Sequence, residues 1–336
     1  MRSVVRLIKF LILSGVSVAL LAAAGLYYYA HSELVLKQSP VTFEVQPGSS
    51  LKAVATQLAA AGVVEQPELF VLLARLRGDS TKLKAGNYEF GRSLTPLELL
   101  NRITRGDVTQ VAITFVEGWT FRQMRQALRD HPQVRLETAT LTEAELLQKL
   151  GIAQPAAEGW FFPDTYYFSE GASDLAILRR AHQLMRRHLE QEWARRAPDL
   201  PLQSPTEALI LASIVEKETG RPEERGLVAA VFINRLRIGM RLQTDPSVIY
   251  GMGDAFDGNI RKRDLSTDTP YNTYTRAGLP PTPIAMPGLD ALRATLNPAS
   301  SDALYFVARG DGTSEFSRKL SEHERAVTRY QRRGQP

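Results

Sequence analysis

The 336-residue chain has no cysteine and only five histidines. The first absence excludes disulfide scaffolds and thiolate metal sites. The second, with the histidines scattered, leaves no ligand cluster, so neither a metal nor a cofactor is expected. Long runs of one charge sign and tracts of Ser, Gln or Gly are missing, which excludes wholesale disorder. The HExxH, GxSxG and Walker patterns are absent, and Gly251-Met252-Gly253 lacks the third glycine of a dinucleotide fingerprint. The 41 basic against 36 acidic side chains give a net charge of +5. They are dispersed rather than gathered into a stripe with interleaved aromatics, so no nucleic-acid partner is expected.

What is present begins at the N-terminus. Arg2, Arg6 and Lys9 precede a stretch from Phe10 to Ala30 without Lys, Arg, Asp or Glu. About 20 apolar residues in a helix cover a ~30 Å hydrocarbon core. The positive charges assign residues 1–9 to the cytoplasm, and Tyr27, Tyr28 and Tyr29 suit the opposite interface. Ala22-Ala23-Ala24 would also satisfy a signal-peptide cleavage pattern, but the apolar run exceeds the ~7–15 residues of an ordinary h-region. The expectation is a single membrane helix over 10–30 in the cell inner (plasma) membrane, with everything after His31 outside the cytoplasm.

Beyond it, Val41 to Val45 reads as a strand, Gln46 to Ser49 as a turn, and Ser50 onward as a helix with apolar positions at Leu51, Val54, Ala55 and Leu58. The same grammar returns at Ile113 to Val116, Glu117 to Thr120, and Phe121, Met124 and Leu128, with Thr120 and Gln123 as a capping box. Duplication and the ordinary result of a strand feeding a helix explain this equally well. Helices are expected over Pro67 to Arg77 and Thr95 to Thr104, and Leu83 to Phe90 reads as a turn leading into an alternating strand. From Asp174 to Arg196 a long amphipathic helix carries arginines on its polar face, read as a solvated face.

The chemistry points to Ala208 to Thr219, where eight residues with a single hydroxyl run directly into Glu216-Lys217-Glu218. Successive helical residues turn by ~100°, so Glu216 and Glu218 point ~160° apart and only one can enter a given cleft. Glu218 continues the row of Ala208, Leu211 and Val215. Bulky apolar neighbours would raise its pKa, as a general acid requires. The alternative is that both are ordinary helix-end charges paired with Lys217 and Arg221. Gln243-Thr244-Asp245-Pro246 and Tyr271-Asn272-Thr273-Tyr274, followed by Gly278 to Pro283, suit a carbohydrate groove in which rings stack on sugars and amides read hydroxyls. The same residues are also good turn formers.

Six blocks carry a resemblance: Glu158 to Thr165, Ala212 to Thr219, Val231 to Leu236, Leu242 to Pro246, Tyr271 to Tyr274 and Gly278 to Pro281. In this order they resemble the membrane-anchored endolytic murein transglycosylases of the YceG-like family. The resemblance implies an α+β chain with one membrane helix, a LysM-like subdomain over 41–108 and a catalytic domain over 109–330. The LysM-like opening at Val45 to Leu51 lacks the Asp common after its glycine.

The resemblance further implies that the second glutamate of the Glu-Lys-Glu motif, Glu218, is catalytic. Gln243, Thr244, Asp245, Tyr271, Asn272, Tyr274, Glu158 and Asp164 are the expected substrate-binding residues. The implied reaction is non-hydrolytic: the bond between N-acetylmuramic acid and N-acetylglucosamine in nascent peptidoglycan glycan strands is cut, and a 1,6-anhydro end forms, terminating elongation. An internal nucleophile makes one carboxyl sufficient. Cell-wall synthases, the penicillin-binding proteins, are the implied protein partners. Two other readings stay open on sequence: a catalytically inactive wall-binding scaffold, and a water-using muramidase with Asp245 as second carboxylate.

Overall fold

The apolar N-terminal run forms one helix, α1 (Arg2–His31). Phe10, Leu13, Val18 and Leu21 on it are exposed, and Lys9–His31 is long and apolar enough to cross a membrane. The computed structural model describes residues 2–34, 36, 41–46, 48–91, 94–107 and 110–332. Pro47 of the expected turn, and positions 108 and 109 where the expected domain boundary falls, lie outside the described residues. The chain divides into two compact units, one of residues 1–111 with 167–170, the other of 112–166 with 171–336.

In the first unit, α1 is followed by β1 (Val41–Val45), α2 (Leu51–Ala60), α3 (Pro67–Leu76), β2 (Gly86–Phe90) and α4 (Pro96–Arg105). β1 and β2 pair antiparallel, Val41 opposite Phe90 and Val45 opposite Gly86. Strand alternation turns Phe43, Val45, Tyr88 and Phe90 inward. The inward face of α2 is Leu51, Val54, Ala55 and Leu58, the row its periodicity predicts. Local chemistry sets the helix starts. Ser50 accepts from Ala53 N, and Thr95 and Glu98 close a capping box ahead of Pro96. Ala30 and Leu34 join the same core as Val54, Phe70 and Leu99, so α1 runs into this unit as part of its packing.

β3 (Gln110–Thr114) follows. It starts three residues earlier than expected and pairs with β4 (Thr165–Ser169) in a two-stranded ribbon through which the division between units runs. Phe115, expected in the strand, is buried just past its end with its N–H bonded to the Asp164 carbonyl. Gly118 then turns the chain at φ 76°, as Gly48 does at φ 80°, a left-handed conformation that favours glycine.

The second unit continues with α5 (Phe121–Asp130), α6 (Glu143–Leu150), α7 (Asp174–Ala194), α8 (Pro205–Glu218), α9 (Pro222–Arg237), α10 (Asp245–Met252), α11 (Lys262–Ser266), α12 (Leu289–Leu296), β5 (Tyr305–Ala308), β6 (Ser314–Ser317) and α13 (Leu320–Val327). Small ribbons among many helices make this the expected α+β class. The Thr120–Gln123 capping box forms. Arg179, Arg180, Arg186, Arg187, Arg195 and Arg196 are all exposed, so the basic face of α7 is solvated.

At the centre lies α8, in contact with α7, α9, α10 and α12. All eight residues from Ala208 to Val215 are buried. The one hydroxyl in this run is satisfied: Ser213 Oγ donates to the Ile210 carbonyl at 2.7 Å and accepts from Ile284 N at 2.9 Å. That second bond holds the Pro-rich loop against the helix.

Candidate active site

The fully buried apolar run of α8 ends at its last turn, where the charged residues point in different directions. Glu216 turns to Arg225, 3.7 Å away and itself buried, and accepts from Gly288 N at 2.9 Å. Glu218 turns to the opposite side and accepts a hydrogen bond from the Thr244 hydroxyl. The helix end therefore places one carboxylate in a structural ion pair and the other in a cavity. Lys217 and Arg221 donate to backbone carbonyls of Gly118 and Asp311.

The cavity at Glu218 has a volume of about 570 Å³ and is lined also by Arg235, Gln243, Asp245, Tyr274, Tyr305 and His323, among others. Burial raises the pKa of Glu218 and nearby Asp245 raises it further, against the Thr244 hydrogen bond and the Arg235 charge, which lower it. Desolvation dominates, so the carboxyl is biased toward its protonated form.

The Thr244 hydroxyl is held by its surroundings. Its N–H donates to Thr273 Oγ1 at 3.0 Å, its carbonyl accepts from Ser247 Oγ at 2.9 Å, and the Ser247 and Thr273 hydroxyls lie 2.9 Å apart. The preceding residue, Gln243, has φ 50°, a conformation uncommon for a residue with a Cβ and often found where a site is under strain. Thr244→Val removes a donor that favours the charged form of Glu218. The alkaline limb of the activity profile, where a general acid loses its proton, then moves to higher pH; kcat/KM measured against pH checks this, and an unmoved or lowered limb contradicts it.

The predicted substrate-binding residues fall into four situations. Gln243, Asp245 and Tyr274 line the cavity with Glu218, and Tyr274 donates to Asp245 Oδ1 at 2.6 Å. Thr244 and Asn272 are buried and committed internally. The Asn272 amide donates to the carbonyls of Asp264, Leu265 and Thr267.

Glu158 and Tyr271 line a second cavity of about 770 Å³ with Tyr250 and Phe256. There Glu158 accepts from Phe121 N at 3.0 Å and from the Tyr250 hydroxyl at 3.1 Å, and burial pushes its pKa up to about 7. Asp164 is exposed beside a third cleft with Arg180 and Arg187.

α10 and the 271–274 loop each serve both larger cavities. Asp245 and Tyr274 face one while Tyr250 and Tyr271 face the other.

Sequence reasoning missed Arg235, Tyr305 and His323. Arg235 is buried and donates to the carbonyls of Leu304 at 2.7 Å and Leu242 at 2.5 Å, its guanidinium 5.4 Å from the Tyr305 ring centre. Periodicity carries no sign of this, because the three come from α9, β5 and α13. His323, scattered like the other histidines, lines the cavity rather than serving only in packing. Among the described residues no group of three or more His, Cys, Asp or Glu side chains is arranged to hold a metal ion.

Comparison with known proteins gives a consistent result. The sequence pattern of the YceG-like family matches residues 43–329. The endolytic murein transglycosylase of Bacillus subtilis is 30% identical over 337 residues, covering 92% of this chain and 91% of that protein. The endolytic murein transglycosylase of Streptococcus pneumoniae serotype 2 is 28% identical over 361 residues, covering 96% of this chain and 65% of that protein. The crystal structure of a YceG-like protein from Listeria monocytogenes superposes with a TM-score of 0.55 at 30% identity, covering 85% of this chain and 98% of that one.

Proposed function

The chain belongs to the YceG-like family, and from this we propose that it cuts murein glycan internally by transglycosylation, with Glu218 as its acid and base. The reaction class is that of a lytic transglycosylase, a carbon–oxygen lyase. The observation that carries the residue assignment is a desolvated carboxyl at the end of a buried helix, one oxygen bound by Thr244 and the group lining a cavity of mixed polar and apolar character.

The chemistry balances on one carboxyl. Glu218 gives its proton to the oxygen joining N-acetylmuramic acid to N-acetylglucosamine as the C1–O bond breaks. The resulting carboxylate takes the proton of the muramyl C6 hydroxyl, whose oxygen bonds to C1. Glu218 ends as it began, and no water is consumed. A general base for water, and the separation of two carboxylates that water would need, are not required.

In this reading Gln243, Asp245 and Tyr274 bind sugar next to Glu218. Thr244 and Asn272 hold the site in shape, and Glu158 and Tyr271 serve the second cavity. Asp164 stands apart from both.

The finer placement belongs to the same proposal. α1 is retained as a single-pass anchor in the inner membrane, with residues 1–9 in the cytoplasm and the catalytic domain outside. Residues 41–108 form a LysM-like subdomain, supported by the paired β1 and β2 and the capped α2, and 109–330 form the catalytic domain. Partners are the glycan strands and the synthases, the penicillin-binding proteins, that extend them; cutting nascent strands ends their growth.

The test is a mass measurement. The full chain in detergent, incubated with purified uncrosslinked glycan strands, is expected to yield shorter strands ending in 1,6-anhydro-N-acetylmuramic acid. Unchanged strands, or products heavier by one water that vanish with Asp245→Asn, overturn the assignment.

A further inference from the structure

The cavity at Glu218 is completed by the C-terminal part of the chain, which has no role in the chemistry above. β5 supplies Tyr305 and Val307, and α13 supplies Leu320, His323 and Val327. Two features of this wall bear on what it binds. Leu320 is 53% exposed, an aliphatic side chain presented to the cavity rather than packed. The His323 ring lies nearly parallel to that of Tyr305, centroids 5.2 Å apart at 22°, and its Nδ1 is enclosed by protein with no hydrogen-bond partner.

The enclosed nitrogen fixes the chemistry of the ring. A proton on Nδ1 would be a buried N–H without an acceptor, which is costly, so the neutral tautomer carries its proton on Nε2. Desolvation and the positive charge of Arg235 lower the pKa of the ring against the weaker pull of Glu324, so the imidazole is neutral at neutral pH. With Nδ1 enclosed, Nε2 is the ring nitrogen left for a ligand, and it is a donor. A neutral donor beside exposed aliphatic carbon is a poor match for a carboxylate or phosphate. It is a good match for an acetamido group, whose carbonyl accepts and whose methyl needs apolar contact.

We propose that His323, donating through Nε2, and Leu320, packing on the methyl, form an acetamido-binding subsite that selects N-acetylhexosamine units next to Glu218. This rests on the glycan-cleaving assignment for its substrate class, but its test uses binding and not turnover. The full chain in detergent is titrated calorimetrically with a β-1,4-linked tetramer of N-acetylglucosamine and with the β-1,4-linked tetramer of glucose, which differs at the acetamido position.

The wild-type chain is expected to bind the acetylated tetramer roughly tenfold or more tightly than the glucose tetramer, about the worth of one hydrogen bond plus a methyl contact. His323→Phe, which keeps the stack on Tyr305, removes most of that preference and leaves glucose-tetramer affinity unchanged. His323→Gln, whose amide N–H reaches the place of Nε2, retains it; His323→Asn, whose amide reaches only the place of Nδ1, does not.

Equal affinity of the wild type for both tetramers overturns the subsite, as do equal losses in His323→Phe or an Asn variant that substitutes better than Gln. Should the Phe variant fail to fold, the Gln and Asn pair decides. Failure of the cleavage assignment appears separately, as uncut strands with the binding preference intact.

Discussion

Glu218→Gln lowers the rate of strand cleavage by roughly 10²–10⁴-fold, the usual contribution of a positioned general acid and base, while the chain folds normally. The amide has the same shape, can still accept from Thr244, and removes a carboxyl whose ionised form burial already disfavours. Loss of rate with an unchanged melting temperature is the expected pair of results. Glu216→Gln is the informative contrast. That carboxylate faces away, against the buried Arg225 and Gly288 N, and its loss leaves a buried guanidinium with a weaker partner. Breaking such a pair destabilises, so a lowered melting temperature with substantial activity per folded molecule is expected there. A Glu218→Gln enzyme that cuts at the wild-type rate, with Glu216→Gln inactive but stable, would exchange the two roles.

Gly159→Ala is expected to produce the largest loss of stability from a single methyl group in the second unit. Gly159 has φ 83°, and a Cβ there would sit 2.4 Å from Pro283 Cβ and 2.5 Å from its Cγ. A proline ring cannot swing aside, and the loop that carries it is tied to α8 through Ile284 and Ser213. The left-handed backbone costs an alanine ~1–2 kcal/mol, and overpacking adds ~1–3 kcal/mol. At roughly 2–4 °C per kcal/mol for a domain of this size, the melting temperature falls by about 4–20 °C.

Gly171→Ala separates the two terms: its φ is 77°, but nothing lies within 4 Å of the added carbon, so only the backbone cost of ~1–2 kcal/mol applies. Thermal melts of the two variants side by side check this. Equal shifts would mean that contact with Pro283 is relieved elsewhere. Activity of Gly159→Ala is expected to fall as well, because its neighbour Glu158 joins α5 to Tyr250 on α10, the helix that begins with Asp245.

Both predictions draw on features that differ in how far the amino-acid order reveals them. The inward row of α2, the caps at Thr95 and Thr120, and the buried run of α8 are readable because each depends on residues within a turn or two of one another. The divergence of Glu216 and Glu218 is of the same kind, since 100° per residue is a property of any α-helix. The boundaries of β3 were less legible: strand ends depend on a partner, and that partner, β4, lies some fifty residues further on.

Amino-acid order is therefore enough for the set of parts: an apolar helix able to span a membrane, a small strand-and-helix unit, a buried helix ending in two carboxylates that cannot share a cleft, and blocks that resemble the YceG-like family. The tertiary structure alone decided which residues meet. It separated Glu158 and Tyr271 from the cavity that holds Glu218, withdrew Thr244 and Asn272 into the framework, and added Arg235, Tyr305 and His323. The reason is physical. Helix phase, caps and turns are set by neighbours along the chain, whereas a cavity is bounded by side chains from α8, α9, α10, β5 and α13, whose meeting depends on packing between elements that no local pattern records.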